Sequence, residues 1–321
     1  MRLFQHILRL VFVSGCAIQV LGQTDPCLDR TVPVNVYTER GEAFTPLTAF
    51  SFQPRMGGKP VSVTSVTLDT GPRRILILID VSGSMTEEDR LKWGLEFTRD
   101  LISLTPLRDS LALVTFSTRT EDVVAFGQSP DALLAEVYKL QGTDWRRVKS
   151  ARKTALVDAL ADALAMMKSP RVGDAICLVS DGGENASQSN WSRVKALFES
   201  SGIRVYVFLP TPTMSYRASS PEESVGLPGL YDLTSATGGD LLAFEVGMGT
   251  NERQRKITRL AAEGISKEIS SIVKLTVRLP DPLAEPRSWK LEVVDASGRR
   301  IKHLQVFYPQ RLGACTPGDN P

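Results

Sequence analysis

The sequence predicts an α/β fold: a doubly wound, mostly parallel sheet with flanking small β regions. The run from Ile75 to Ile79 is continuously apolar, which is typical of a strand covered on both faces of a parallel sheet. Strand-like and helix-like segments then alternate to about residue 245, which favours helices on both faces of one sheet. The segments on either side alternate apolar and polar residues instead, as small antiparallel sheets do.

Composition excludes several classes of protein. Of 321 residues, 42% are hydrophobic and 23% are charged, which is typical of a folded chain and not of a disordered one. The formal net charge is only +2, so no overall electrostatic argument favours a nucleic-acid partner. With 2 His and 4 Cys, a zinc site of His and Cys ligands is disfavoured. A metal site in this chain therefore has to be built from oxygen.

The first residues predict a secretory signal peptide over 1–22. A basic start is followed by an apolar stretch to Leu21, and small residues favour a cut after Gly22. The alternative is a lipoprotein signal that places a lipid anchor on Cys16, but the apolar stretch before that residue is short. No later segment is long and apolar enough to span a bilayer. We therefore expect a secreted or periplasmic protein without a transmembrane segment after signal removal.

Three further segments follow the signal. Residues 23–71 predict a β region, possibly Ig-like, with strands at 32–37 and 61–68 and a turn at 57–60. Residues 72–245 predict the α/β domain, and residues 246–321 predict a connector helix and a second β region that could pack with the first. Within the domain we expect helices at 87–104, 130–140, 154–168 and 190–200, a helical turn at 231–237, and strands at 75–79, 111–116, 174–180 and 203–208 and after Gly239. The connector helix, 251–270, carries charges at helical spacing and is expected to be exposed; strands at 272–279, 289–294 and 301–308 follow it.

The cysteines left after signal removal have different surroundings. Cys177 lies within an apolar run, where a free thiol behaves as a small hydrophobic side chain. Cys27 and Cys315 lie near the two ends of the mature chain. In an oxidising compartment they could form a disulfide, or they could stay unpaired, and the sequence leaves both alternatives open.

Oxygen-bearing side chains follow two of the predicted strands. Asp80, Ser82 and Ser84 come directly after the first buried strand, Thr154 opens a predicted helix, and Asp181 follows the apolar run at 176–179. The carboxyl ends of parallel strands meet at one edge of a sheet, where ligands of this fold class bind. Carboxylate and hydroxyl oxygens favour Mg²⁺, with Mn²⁺ or Ca²⁺ as possible substitutes. The sequence therefore predicts a divalent-ion site at this edge.

The pattern Asp80-x-Ser82-x-Ser84 with Thr154 and Asp181 resembles the metal-ion-dependent adhesion site of von Willebrand factor type A domains, over about residues 72–245. The chain as a whole resembles the bacterial secreted "VWFA-related" proteins. The resemblance implies a von Willebrand A, Rossmann-like fold and Mg²⁺-dependent protein binding rather than catalysis. It implies direct metal contacts from the hydroxyls, direct or water-mediated contacts from the aspartates, and an open position that accepts an acidic residue of a protein partner.

One departure from the family pattern concerns the loop before Thr154. Related chains often have glycine directly before the threonine, where this chain has Lys153. The loop from Trp145 to Lys153 is rich in basic residues, namely Arg146, Arg147, Lys149, Arg152 and Lys153. We hypothesise that it forms a positive rim that favours an acidic partner segment. The alternative is a solvated charged loop without a partner.

A hydrolase and a structural envelope protein are the two alternatives to an adhesion function. A serine hydrolase needs a base beside its nucleophile, yet the only imidazoles are His6, in the predicted signal, and His303, in the C-terminal β region. Ser82 also lacks the flanking glycines of a nucleophile elbow, and the chain has no phosphate-binding glycine loop of the Gly-x-x-x-x-Gly-Lys type. A two-metal hydrolase would need more carboxylates or histidines at the strand ends. A metal-dependent hydrolase is therefore disfavoured, and we predict no catalytic residues. A metal-stabilised structural envelope protein, in which the ion only holds the fold together, is the other alternative.

Overall fold

The computed structural model describes residues 25–144, 153–212, 220–247 and 249–315. The predicted signal peptide, its cleavage position and Cys16 lie outside the described residues, and so do residues 145–152 of the basic loop. Among the described residues, no helix has both the length and the apolar character needed to cross a membrane.

The elements are numbered along the chain. The strands are β1 (Asp29–Thr38), β2 (Phe52–Met56), β3 (Lys59–Pro60), β4 (Ser62–Asp69), β5 (Arg74–Asp80), β6 (Ser110–Phe116), β7 (Thr120–Val124), β8 (Ala175–Val179), β9 (Arg204–Thr211), β10 (Leu241–Glu245), β11 (Ile272–Arg278), β12 (Arg287–Val293), β13 (Leu304–Phe307) and β14 (Arg311–Leu312). The helices are α1 (Arg90–Leu104), α2 (Pro130–Gln141), α3 (Leu156–Met166), α4 (Trp191–Ser201), α5 (Pro221–Thr237) and α6 (Asn251–Ser270).

The central sheet has six strands in the order β10-β9-β8-β5-β6-β7. Its neighbours are parallel except for β7, which pairs antiparallel with β6 at the edge. Residues 75, 77 and 79 of β5 point into the core under α1, α2 and α6, while residues 76 and 78 point into the core under α3, α4 and α5. The predicted doubly wound, mostly parallel α/β fold is thereby confirmed, because the apolar run of β5 is buried on both faces.

The sheet also has a topological switch point. After β5 the chain crosses to β6 on one side, and it later returns to β8 on the other side of β5. The loops after β5 and β8 therefore leave the sheet beside each other and turn towards opposite faces. This is the crevice in which open α/β sheets bind ligands.

The flanking β regions form one unit drawn from both ends of the chain. One four-stranded sheet has the order β13-β1-β11-β4, and the other has the order β14-β12-β2-β3. The two sheets share an apolar core that includes Val34, Phe52, Leu275 and Trp289. Each sheet thus combines strands from both ends of the chain, which alternate in the first sheet and meet at the β12–β2 pair in the second. The strands of the regions at 23–71 and 246–321 are therefore parts of a single two-sheet sandwich.

The two cysteines near the ends of the described chain are bonded. Cys27 and Cys315 form a disulfide with a Cα–Cα distance of 5.3 Å, which decides between the two alternatives that the sequence leaves open. Cys177 is a buried free thiol, and burial raises its pKa to about 12. It is a packing residue, as its apolar surroundings in the sequence predict.

The expectation of an exposed connector after residue 245 is wrong for α6. This helix packs against α1, and its inward stripe belongs to the core of the central sheet through Ala262, Ile265 and Ile269. Gln254 and Thr258 continue the same stripe and are also buried. Most of the other positions are charged. The charged residues therefore dominate the composition of the helix, while its narrow inward face determines where it packs.

Candidate metal site

Asp80 is the last residue of β5, and its side chain is fully buried. One carboxylate oxygen, Oδ1, accepts the N–H of Ser82 at 2.9 Å. The other, Oδ2, accepts the hydroxyl of Ser180 at 2.7 Å, which links the ends of β5 and β8. The 3₁₀ turn Gly83–Thr86 follows and places Ser84 beside Ser82, with 3.3 Å between their hydroxyl oxygens. One turn of chain therefore delivers a carboxylate and two hydroxyls to the same place.

Asp181 follows β8 and is also buried. Its Oδ1 accepts the N–H of Gly183 at 3.1 Å, and its Oδ2 accepts a hydrogen bond from Arg90 Nη1 at 2.8 Å. A Cβ atom placed on Gly183 would lie 3.3 Å from Asp181 Oδ1 and 3.9 Å from Ser84 Oγ. The oxygens of Asp181 and Ser84 thus border the same small space, which a larger residue at 183 would narrow.

Thr154 is bonded to the loop that follows Asp181. Its backbone N–H donates to the side-chain oxygen of Asn185 at 2.9 Å, and its carbonyl accepts from the backbone N–H groups of Asn185 and Ala186 at 3.0 and 3.1 Å. The next residue, Ala155, donates its N–H to the carbonyl of Ser117 just after β6. Thr154 is buried, and these bonds hold it against the segment that carries Asp181.

The expectation that Thr154 opens a helix is wrong by two residues. Helix α3 begins at Leu156, and its first free N–H groups are capped from the 184–187 segment. The Val157 N–H donates to the carboxylate of Glu184 and to the hydroxyl of Ser187, at 3.0 Å each. Because other side chains cap the helix, the Thr154 hydroxyl is not required for that role.

The Asp80 carboxylate is costly to ionise in its buried position beside Asp181. Burial and the nearby charge of Asp181 raise the pKa of Asp80 to about 7, although hydrogen bonds from Ser82 and Ser180 oppose the shift. A divalent cation would relieve this repulsion, because it supplies positive charge where two buried carboxylates meet. The donor set consists only of oxygen, and within the described ranges no group of three or more His, Cys, Asp or Glu side chains offers another kind of metal site. The residues present therefore fit a hard divalent ion.

Arg90 and Glu223 are site neighbours that the sequence did not indicate. Arg90 is the first residue of α1, and Glu223 lies in the first turn of α5. Both side chains are buried, and Arg90 Nη1 lies 3.5 Å from Glu223 Oε1 as well as beside Asp181. Ser180, which the sequence places at the end of the predicted strand 174–180, also belongs to the site because its hydroxyl donates to Asp80. Its position as a polar residue directly after an apolar run is the signal in the sequence that could have identified it.

The predicted positive rim lies almost entirely outside the described residues. Residues 145–152 lie outside the described residues, and of this loop only Lys153 is described, with an exposed side chain. Glu184 and Asp158, near Thr154, are not part of the oxygen cluster. Glu184 caps α3, and Asp158 accepts the backbone N–H groups of Gln188 and Ser189 at 2.8 Å each.

The family model of the von Willebrand factor type A domain matches residues 75–184, from the start of β5 to just beyond Asp181. The chain contains a von Willebrand factor type A domain. The match includes all five of the residues that resemble the adhesion site. A comparison with curated protein sequences gave no match.

Solved structures with a similar chain path include several von Willebrand A proteins. An aerotolerance-related membrane protein from Bacteroides fragilis NCTC 9343 is 17% identical over 61% of this chain and 98% of its own, with a TM-score of 0.45. A von Willebrand factor type A protein from Catenulispora acidiphila is 10% identical over 89% of this chain and 74% of its own, with a TM-score of 0.46. Proximal thread matrix protein 1 of the mussel byssus, with a zinc-occupied MIDAS motif, is 15% identical over 67% of this chain and 50% of its own, with a TM-score of 0.46. Scores this low carry no functional argument.

Proposed function

We propose that this protein is a secreted or periplasmic protein-binding module whose von Willebrand A domain binds Mg²⁺ and, through it, an acidic group of a protein partner. The observation that carries the proposal is the meeting of two buried carboxylates and the paired serine hydroxyls at the switch point of the sheet. Ser82, Ser84 and Thr154 would hold the ion directly, and Asp80 and Asp181 would hold it directly or through water. The bound ion would supply a Lewis-acidic open position for a carboxylate.

The chain's own residues prepare this site for such an ion. The hydrogen bonds from Ser82 and Ser180 fix both oxygens of Asp80, so the carboxylate does not have to be reoriented when an ion arrives. The Thr154 backbone is fixed in the same way by Asn185. Only two of the five residues assigned to the ion are carboxylates, which favours an ion that keeps several waters and can exchange one of them for a partner's carboxylate.

Secretion is part of the proposal and has support from two sides. The first residues of the sequence predict a signal peptide. The Cys27–Cys315 disulfide is of a kind that forms and persists in oxidising compartments, such as the periplasm or the extracellular space.

The metal step is tested by calorimetric titration of the mature chain with MgCl₂ and with MnCl₂. Wild-type protein should take up about one ion per chain, a stoichiometry that follows from a single cluster of oxygen donors. Asp80→Ala should remain folded by circular dichroism and lose saturable uptake. Asp131→Ala is the matched control, because Asp131 is an exposed carboxylate on α2. No saturable heat from the wild-type protein with either ion would end the proposal.

The partner step separates adhesion from the structural alternative. Wild-type and Asp80→Ala protein are used as bait for the native envelope fraction, in Mg²⁺ and again in chelator. Adhesion predicts a partner that is retained only by the wild-type protein in Mg²⁺ and is eluted by chelator. If chelator lowers the melting temperature but releases nothing, the ion is structural and adhesion is wrong.

A further inference from the structure

The metal site contains a buried cation of its own. The Arg90 side chain is 8% exposed and forms an ion pair with Asp181, whose side chain is 1% exposed, at 2.8 Å. Its second buried partner, Glu223, is more distant, at 3.5 Å, and a third carboxylate, the exposed Glu88, lies 3.9 Å from Nη2. The closest partner of this guanidinium is therefore a residue of the metal site.

The backbone before Arg90 is held in an unusual conformation. Glu88 and Asp89 have φ values of +50° and +61°, in the left-handed region that residues other than glycine rarely adopt. Asp89 is also the N-cap residue of α1, yet its side chain makes no capping hydrogen bond. Two residues with left-handed backbone and an N-cap side chain that makes no capping bond do not favour the start of α1. Other interactions therefore have to hold the turn before Arg90 in place. The turn is held by the Arg90 N–H bond to the Glu87 carbonyl and by the exposed Lys92–Asp89 ion pair, and the Arg90–Asp181 ion pair is the buried interaction among them.

Arg90 and an incoming ion must share the same carboxylate. Asp181 Oδ1 already accepts from Gly183, and Oδ2 accepts from Arg90, so each oxygen already has a donor. A divalent ion bound at or near Asp181 would therefore lie close to a buried positive charge, which disfavours its binding. Glu223 gives the guanidinium a second buried carboxylate, so Arg90 can shift away from Asp181 without becoming an unpaired buried charge.

We propose that Arg90 is a built-in counter-cation of the metal site, which neutralises Asp181 in the metal-free protein and lowers the affinity of the site for divalent ions by competing for that carboxylate. The proposal rests on the metal binding argued under Proposed function. It implies that the domain stays folded when ions are scarce and that the site fills only when they are abundant. It also links Asp181 to α1 and α5, the helices that carry Arg90 and Glu223.

The test is the affinity of Arg90→Gln for MnCl₂ alone, measured by calorimetry against the wild-type protein. Glutamine keeps a donor near Asp181 and removes the charge, so the dissociation constant should fall by about tenfold or more because like-charge repulsion is lost. The same variant should have a lower melting temperature without metal and a larger rise on adding Mn²⁺. Arg90→Lys keeps the charge and should stay near the wild-type affinity. Lys92→Gln removes an exposed positive charge from the first turns of the same helix and should also leave the affinity unchanged.

The outcomes distinguish this inference from the function on which it rests. If wild-type and Arg90→Gln both fail to take up Mn²⁺, the proposed metal binding itself is wrong. If the wild-type protein binds and a folded Arg90→Gln binds equally or more weakly, Arg90 only positions Asp181 and the counter-cation role is overturned. Should Arg90→Gln fail to fold, Arg90→Gln/Glu223→Gln also removes the charge of the buried α5 carboxylate that loses its ion pair with Arg90, and tighter binding by this double variant is required.

Discussion

At the scale of single residues, buried charges occur both in the metal site and at the contact between the sandwich and the von Willebrand A domain. At that contact Arg204 of β9 is fully buried and donates to the side chain of Asn35, in β1, and to the backbone carbonyl of Glu268, in α6, the latter at 2.8 Å. Burial raises the pKa of Glu268 to about 7; Arg204 opposes the shift and Asp240 adds to it. The contact therefore tolerates a neutral Glu268 better than a charged one.

Glu268→Gln should stabilise the protein at pH 8 and have a clearly smaller effect at pH 5. The pKa of Glu268 is raised in the folded state, so folding is penalised once the pH exceeds the ordinary glutamate pKa, and the penalty is complete above about 7. A shift of this size corresponds to about 1–3 kcal/mol at pH 8. Urea unfolding of both proteins at the two pH values measures the difference. Glu263→Gln, on the exposed face of the same helix, is the control and should show no pH-dependent difference.

The metal site shows what can be predicted at this scale from a sequence. Asp80, Ser82 and Ser84 are placed by one turn after one strand, so local pattern was sufficient to group them, and Asp181 follows from the same rule applied to β8. Whether they bind an ion stays a prediction. Arg90 could not be predicted as their neighbour, because its position depends on two left-handed residues and on a carboxylate from a distant segment.

At the scale of elements, α5 is the helix that sequence patterns largely missed. Only a helical turn at 231–237 was expected, whereas the helix runs from Pro221 to Thr237. Gly226, Pro228 and Gly229 lie inside it, and all three have low helix propensity. The glycines are needed because the helix packs very closely: a Cβ at Gly226 would lie 2.0 Å from the carbonyl oxygen of Gly182. Close packing against the loop of Asp181 thus overrides local preference.

Gly226→Ala should push α5 away from this loop. The added methyl group meets backbone atoms, which cannot rotate aside, so we expect a loss of about 1–3 kcal/mol of unfolding free energy and weaker uptake of Mn²⁺. Urea unfolding and calorimetry measure the two effects. The matched control is Gly264→Ala in α6, where nothing lies within 4 Å of the added atom and a gain of about 0.5–1 kcal/mol is expected. Equal effects of the two substitutions would contradict the close-packing argument.

At the scale of the whole molecule, the von Willebrand A domain lies in sequence between the two halves of the sandwich. Strand β1 pairs with β11 and β13, and β2 pairs with β12, so neither β region builds its sheets without the other. The Cys27–Cys315 disulfide joins the outer ends of these halves across a sequence separation of 288. The bond therefore closes nearly the whole described chain into one loop.

Cys27→Ser/Cys315→Ser should lower the stability of the sandwich. On the chain-entropy account, a bond that closes so long a loop contributes up to about 5 kcal/mol. Unfolding in urea, with and without a reducing agent, measures the effect. Reductant should destabilise the wild-type protein and leave the double variant unchanged, since Cys177 is a free thiol in both. A wild-type protein whose unfolding is insensitive to full reduction would show that the disulfide adds nothing to stability.

The sequence by itself determined the class of the central sheet, the order of most of its elements and the turns that carry Asp80 and Asp181. These features depend on periodicity and turn chemistry, which are local properties of a chain. Only the tertiary structure decided how the β regions interleave, that Cys27 and Cys315 pair, that α6 belongs to the core and that Arg90 lies against Asp181. Each of these depends on contacts between segments that are far apart in the sequence, and their free energy comes from burial and charge pairing that no local pattern records.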